Sequence, residues 1–211
     1  MKTTPLKIGV LVSGGGSNLQ AIINAVRRQK IKAEICIVIS NKADAYALTR
    51  AGKYKIPTLY IDPNNYPDRE TYTRALTDEL KQRGVGLVCL AGFMSILTSY
   101  FVQTFPLQAM NIHPALLPAF GGAGMYGHHV HEAVLRSGAK YSGCTVHFVD
   151  EGCDTGPIIV QQAVTVKDDD TADILAKRIL AIEHKLYPLA IKYFAEGKLR
   201  VVGKRVWLNN K

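Results

Sequence analysis

Paired cysteines are missing from this 211-residue chain. Its four cysteines, Cys36, Cys89, Cys144 and Cys153, stand far apart with no C-x-x-C. That excludes the usual zinc and disulfide-framework spacings and fits a reducing compartment. Cys36 and Cys89 fall in apolar, strand-like runs and read as core residues, whereas Cys153 falls in a polar loop and reads as accessible. No stretch is rich in Pro, Ser or Gln, and 47% of residues are hydrophobic against 20% charged, which excludes disorder on the scale of a domain. A long apolar run is also lacking. The uncharged residues 84–105 are interrupted by Gly86, Gly92, Ser95, Thr98 and Ser99, short of the ~20 apolar residues a membrane helix needs. Residues 1–7 lack the apolar stretch and cleavage site of a secretion signal. A cytoplasmic protein with no membrane partner is expected. The formal net charge of +9 includes no run of five basic residues, so it suits attraction of small polyanions better than a nucleic-acid partner.

What is present is alternation. Residues 7–12, 35–39, 58–61, 87–90 and 109–113 are short apolar runs that read as strands. Between them, Leu19, Ile22, Ile23 and Val26 recur at helical spacing, residues 43–51 read as a short helix, and residues 68–83 form a helix stopped by Gly84. Continuous apolar strands separated by helices predict a Rossmann-like, doubly wound, mostly parallel α/β sheet. After a helix over 128–136 the pattern changes to two strands, 142–149 and 157–164, an antiparallel addition. Asp168, Asp169, Asp170 and Thr171 then precede a long C-terminal helix that Pro188 should kink or divide and Gly197 should end. With no repeat and no clear linker, residues 1–211 read as one domain.

Ser13-Gly14-Gly15-Gly16-Ser17-Asn18 joins the first strand to the first helix. Glycines permit close backbone approach, and a helix N-terminus offers N–H donors and partial positive charge, so the loop suits an anion. The plainer reading is a tight turn with Ser17 or Asn18 as cap. A dinucleotide fits poorly, because Leu19 stands where a third glycine belongs and no acid follows the second strand. A monophosphate fits better.

Asn111-Ile112-His113-Pro114 ends the fifth strand. Residues two apart face one side of a strand, so Asn111 and His113 should point into one space. An amide can donate to the oxyanion that forms when a nucleophile attacks a carbonyl, and an imidazole can do so while moving protons near neutral pH. Asp154, between the two later strands, is the obvious carboxylate to favour a charged His113. Each residue alone has an ordinary explanation; together they suit acyl-type transfer.

These stretches resemble the folate-dependent phosphoribosylglycinamide formyltransferases of purine synthesis. Also similar are residues 40–45, Leu90-Ala91-Gly92-Phe93-Met94, residues 146–150, residues 154–159 and Glu183-His184-Lys185-Leu186-Tyr187-Pro188, in order over nearly the whole chain. The resemblance implies the formyltransferase fold and transfer of formyl from the cosubstrate 10-formyltetrahydrofolate to the amine of glycinamide ribonucleotide, without a metal. It implies catalysis by Asn111, His113 and Asp154. It implies ribonucleotide binding by Gly16, Ser17, Asn18 and Glu183. Folate binding would fall to Arg69, Met94, Ser95, Ile96, Leu97, Asn111, Asp150, Glu151, Gly152, Cys153 and Asp154. Only small-molecule partners are implied, with a homodimer left open. Ser95 departs from the family, many members of which carry Arg, and Ala123 stands where Lys is usual. The cluster His128, His129 and His131 is outside the signature and reads as solvated surface rather than metal site. Related formyl-folate enzymes, methionyl-tRNA formyltransferase and formyltetrahydrofolate hydrolase, would carry an additional domain that this chain is expected to lack. A non-catalytic nucleotide- or nucleic-acid-binding module is the alternative of another class.

Overall fold

The computed structural model describes residues 4–209, so Met1, Lys2 and Thr3 of the N-terminal segment read above lie outside the described residues, as do Asn210 and Lys211. The chain divides into two units, Met1–Met110 and Asn111–Lys211.

In the first unit, β1 (Leu6–Val12), β2 (Ala33–Ser40), β3 (Thr58–Tyr60) and β4 (Leu87–Leu90) lie in the order β3-β2-β1-β4, all parallel. The unbroken apolar runs are explained by burial on both faces: Ile8, Val10, Leu11, Ile37, Val38, Ile39, Leu87 and Val88 are fully inaccessible. The helices are α1 (Ser17–Arg27), α2 (Tyr46–Lys53), α3 (Arg69–Gln82) and α4 (Ser99–Thr104). α1 buries Leu19, Ile22 and Ile23, the stripe that its spacing predicts. α3 starts where Asp68 accepts a hydrogen bond from Thr71 N at 2.7 Å. The sequence reading missed α4, which buries only Phe101 and so has no periodic stripe to detect.

β5 (Ala109–His113) runs from the last residues of the first unit into the second. There follow α5 (His128–Ser137), β6 (Tyr141–Phe148), β7 (Ile158–Thr165), α6 (Ala172–Ala195), β8 (Leu199–Val202) and β9 (Arg205–Leu208). The order is β5-β6-β7-β9-β8. β6 and β7 pair antiparallel as expected, β9 pairs parallel with β7, and β8 pairs antiparallel with β9. The sequence reading missed this last hairpin because its strands are short and half-exposed, with Val202, Trp207 and Leu208 facing solvent. The mixed α/β class is as anticipated.

Pro188 does not divide the last helix: α6 runs unbroken from Ala172 to Ala195. A proline inside a helix costs ~3 kcal/mol. Leu186, Tyr187, Ala190 and Ile191, buried on both sides of Pro188, offset that at ~1.5–3 kcal/mol for each large side chain. Among the described residues no helix is long and apolar enough to cross a membrane.

Candidate active site

β5 delivers Asn111 and His113 to the same side, and Pro114, without an N–H, follows the strand's last residue. Both side chains reach one carboxylate. Asp154 Oδ1 accepts from Asn111 Nδ2 at 3.3 Å, and Asp154 Oδ2 lies 3.4 Å from His113 Nδ1. Asp154 sits in the loop between β6 and β7 at φ 59°, in the left-handed region, and its Oδ2 also accepts from Gly122 N at 3.1 Å. At Gly156, two residues on, a Cβ would come within 1.8 Å of the Phe148 carbonyl oxygen, so only glycine lets the loop re-enter β7 here.

His147 joins the same group and was missed in the sequence. Its Nδ1 donates to the Phe148 carbonyl oxygen at 2.8 Å, which leaves Nε2 to accept from Asn111 Nδ2 at 3.3 Å; Nε2 also lies 3.5 Å from Asp154 Oδ1. The sequence held a signal, since a histidine midway along an expected strand needs polar partners once that strand is buried. On the same face of β6, Thr145 accepts from Leu117 N at 3.1 Å and donates to the Ala115 carbonyl at 2.6 Å. Gln161, opposite Thr145 in register, donates to the Leu117 carbonyl at 2.8 Å. The segment after His113 is thereby tied to the hairpin.

Burial is the largest influence on His113 and lowers its pKa below the ordinary imidazole value; Asp154 and the Phe120 carbonyl, 2.7 Å from Nε2, raise it by less. The anticipated help from Asp154 is therefore present, but the resting ring favours its neutral form. Burial pulls Asp154 upward, yet the neighbouring His147 and His113 rings and the Gly122 N–H together hold it below the usual carboxylate range. The site pairs a poised imidazole with a firmly ionised carboxylate.

In the first unit, the loop predicted to hold phosphate enters α1 through Gly16, not through a Ser17 or Asn18 cap, and no side chain caps the helix. Gly16 has φ +70°, and a Cβ there would lie 2.6 Å from Ala47 Cβ, so geometry and packing both require glycine. Side chains at Gly14 and Gly15 would meet nothing within 4 Å. The uncapped N-terminus leaves donors and partial positive charge for an anion.

The sequence pattern of the formyl transferase family matches residues 6–191. The chain belongs to that family. Phosphoribosylglycinamide formyltransferase of Escherichia coli (strain K12) is 41% identical over 204 residues, covering 97% of this chain and 94% of that protein. Glycinamide ribonucleotide transformylase 1 from Symbiobacterium toebii superposes with a TM-score of 0.95 at 45% identity, over 99% of this chain and 96% of that one. The trifunctional purine biosynthetic protein adenosine-3 of Drosophila pseudoobscura pseudoobscura is 47% identical over 200 residues; these are 94% of this chain but only 14% of that protein. The chain spans about a fifth or less of the length of such trifunctional relatives.

Four of the residues expected at the folate site line one cleft of about 440 Å³: Arg69, Met94, Ser95 and Ile96, with Pro63, Tyr66, Asp68 and Tyr72. Leu97 does not line it. Ser95 accepts from Asn41 Nδ2 at 2.7 Å, and burial pushes the Tyr72 hydroxyl up to about 12. In the second unit, residues 150–154 form the loop ahead of β7. Asp150 holds its turn, accepting from Thr155 Oγ1 at 2.6 Å, from Gly152 N at 3.2 Å and from Lys204 Nζ at 3.0 Å. Glu151, Gly152 and Cys153 are exposed. Glu183 is buried on α6, and its charge adds to the burial that pushes the Cys144 thiol up to about 12. The histidine cluster, expected from the sequence to be solvated surface, is solvated only in part. His128 and His129 are exposed beside Glu132, but His131 is 5% exposed, because position 131 falls on the inner face of α5. Among the described residues no group of three or more His, Cys, Asp or Glu is placed to hold a metal.

Proposed function

We propose that the chain transfers the formyl group of 10-formyltetrahydrofolate to the amine of glycinamide ribonucleotide, as a single cytoplasmic domain over residues 1–211. The observation that carries this reading is the Asp154 carboxylate, approached by both Asn111 and His113 in a member of the formyl transferase family. That match runs through both units, which supports one domain.

The amine nitrogen bonds to the formyl carbon, the bond from that carbon to the folate nitrogen breaks, and one proton passes from the amine to the departing nitrogen. Asn111 keeps one Nδ2 hydrogen on His147 and turns the other from Asp154 to the substrate, directing an N–H at the oxygen on which negative charge grows. His113 is neutral at rest, with its proton on Nε2 toward the Phe120 carbonyl; on leaving that carbonyl for substrate the ring moves its proton to Nδ1, where Asp154 accepts it, and the freed Nε2 takes the amine proton and releases it to the departing nitrogen. Asp154 stabilises the imidazolium in between. Gly16, Ser17 and Asn18 take the phosphate and Glu183 the ribonucleotide. Arg69, Met94, Ser95, Ile96, Leu97 and the 150–154 loop take the donor, whose aromatic and anionic parts suit a cleft lined by Tyr66, Tyr72 and Arg69. Small molecules are its partners.

The test is formation of formylglycinamide ribonucleotide from the two substrates. The chain should turn over, and His113→Ala should lose roughly a hundredfold or more in kcat with its fold intact. No transfer by the unaltered chain, or full activity in His113→Ala, sinks the reading. A salt-dependent shift of DNA or RNA mobility without turnover would instead favour a binding module.

A further inference from the structure

Arg50 has no role in the reading above, yet its side chain lies on the glycine loop. Its Nε donates to the Gly15 carbonyl oxygen at 2.7 Å and its Nη1 to Gln20 Oε1 at 3.4 Å. Its guanidinium stacks 4.9 Å from the centre of the Tyr46 ring, which limits its freedom. Earlier on the same helix, Ala47 N donates to the Gly14 carbonyl oxygen at 3.0 Å. α2 thus grips two successive loop carbonyls, one through its backbone and one through a side chain.

A planar trans peptide points its C=O and the next residue's N–H in opposite directions. Turning the Gly14 and Gly15 carbonyls toward α2 therefore aims the Gly15 and Gly16 N–H groups away from it. The same two donors precede the uncapped N-terminus of α1, so the loop and the helix end supply consecutive N–H groups. Without a side chain to fix it, the Gly15–Gly16 peptide would be free to flip, since glycine tolerates either orientation.

We propose that Arg50 is a positioning residue for phosphate binding: by holding the Gly15 carbonyl it sets the next peptide N–H toward the phosphoryl oxygens of the substrate. This rests on the assignment of the 13–18 loop to the substrate phosphate. Arg50 acts through the loop rather than by touching the reacting atoms.

The test compares Arg50→Met, Arg50→Lys and Ser17→Ala in the formyl-transfer assay, varying each substrate in turn. Arg50→Met should raise KM for glycinamide ribonucleotide about tenfold, the loss expected for one charge-assisted hydrogen bond. It should leave kcat within about twofold and KM for the formyl donor unchanged, because only uniform binding is lost. Arg50→Lys, which keeps the charge and a donor, should recover part of the affinity. The rise should persist at about 0.5 M salt, where long-range charge effects are screened. In the unaltered chain, titration with inorganic phosphate should shift the amide resonances of Gly15 and Gly16, and Arg50→Met should weaken that response. Should Ser17→Ala raise KM for the ribonucleotide while Arg50→Met does not, the Arg50 proposal is overturned and the loop assignment stands. Should neither variant raise it, the loop assignment itself fails. A fall in kcat alone, or a rise that vanishes in salt, also overturns the proposal.

Discussion

His113 Nδ1 faces Asp154 Oδ2 at 3.4 Å, with only 4% and 10% of the two side chains exposed. The pair is asymmetric. Burial disfavours charge on the ring, while the Gly122 N–H and the two neighbouring imidazoles hold the carboxylate ionised. A proton reaching Nδ1 would be met at once by a fixed negative charge.

Asp154→Asn removes the charge that raises the His113 pKa. The acidic limb of the kcat/KM profile, where His113 becomes protonated, should therefore move to lower pH, and kcat should fall roughly a hundredfold or more. A pH-rate series on the variant decides it; an acidic limb left in place would remove Asp154 from the proposed role.

His147 fixes the amide of Asn111 by accepting one of its protons. His147→Phe leaves that donor without its partner and should lower kcat about tenfold or more, with KM for both substrates little changed. His147→Gln, which supplies an acceptor, should recover part of the rate. Equal rates in both variants would show that the contact is only packing.

The glycine loop separates packing from binding. Gly16→Ala must accept φ +70° and a Cβ 2.6 Å from Ala47 Cβ, which should cost about 2 kcal/mol or more in urea unfolding. Gly15→Ala meets no neighbour, so it should leave stability nearly unchanged while raising KM for the phosphorylated substrate. Unchanged binding in Gly15→Ala would count against the phosphate assignment.

Acid should destabilise the fold through buried histidines. The pKa of His113 is lowered from 6.5 chiefly by burial, and so is that of His131, where the charges of His128 and His113 add to the burial. Below 6.5 the unfolded chain binds protons that the folded chain refuses, so stability is full above that pH and falls as pH drops below it. Each unit of such a shift is worth about 1.4 kcal/mol. Urea midpoints at about pH 7.5 and 5.5 measure the loss across the imidazole range. His131→Leu should shrink it, and an identical loss in this variant would contradict the burial argument.

The missed elements share a physical character. Sequence periodicity reports burial, so α1 and the inner strands announced themselves through Leu19, Ile22, Ile23 and the Ile/Val runs. α4 and the β8–β9 hairpin bury too little to leave a pattern. Asn111 and His113 were legible as a pair because a strand's two-residue repeat puts them on one face. Asp154 was legible only as a nearby carboxylate in a loop. His147 was marked only by its place in a strand, with its partner Asn111 36 residues away, and Arg50 carried no local signature, its partner Gly15 lying 35 residues away.

Residue order alone therefore determined the α/β alternation, the glycine-rich turn at the head of α1 and the shared direction of Asn111 and His113. All three follow from backbone geometry and from local rules of burial. Tertiary structure alone decided that one carboxylate serves both side chains, that α6 runs on through Pro188, and that His113 rests neutral beside an anion. Those outcomes are balances between desolvation, packing and charge, and they exist only once distant segments share the same low-dielectric space.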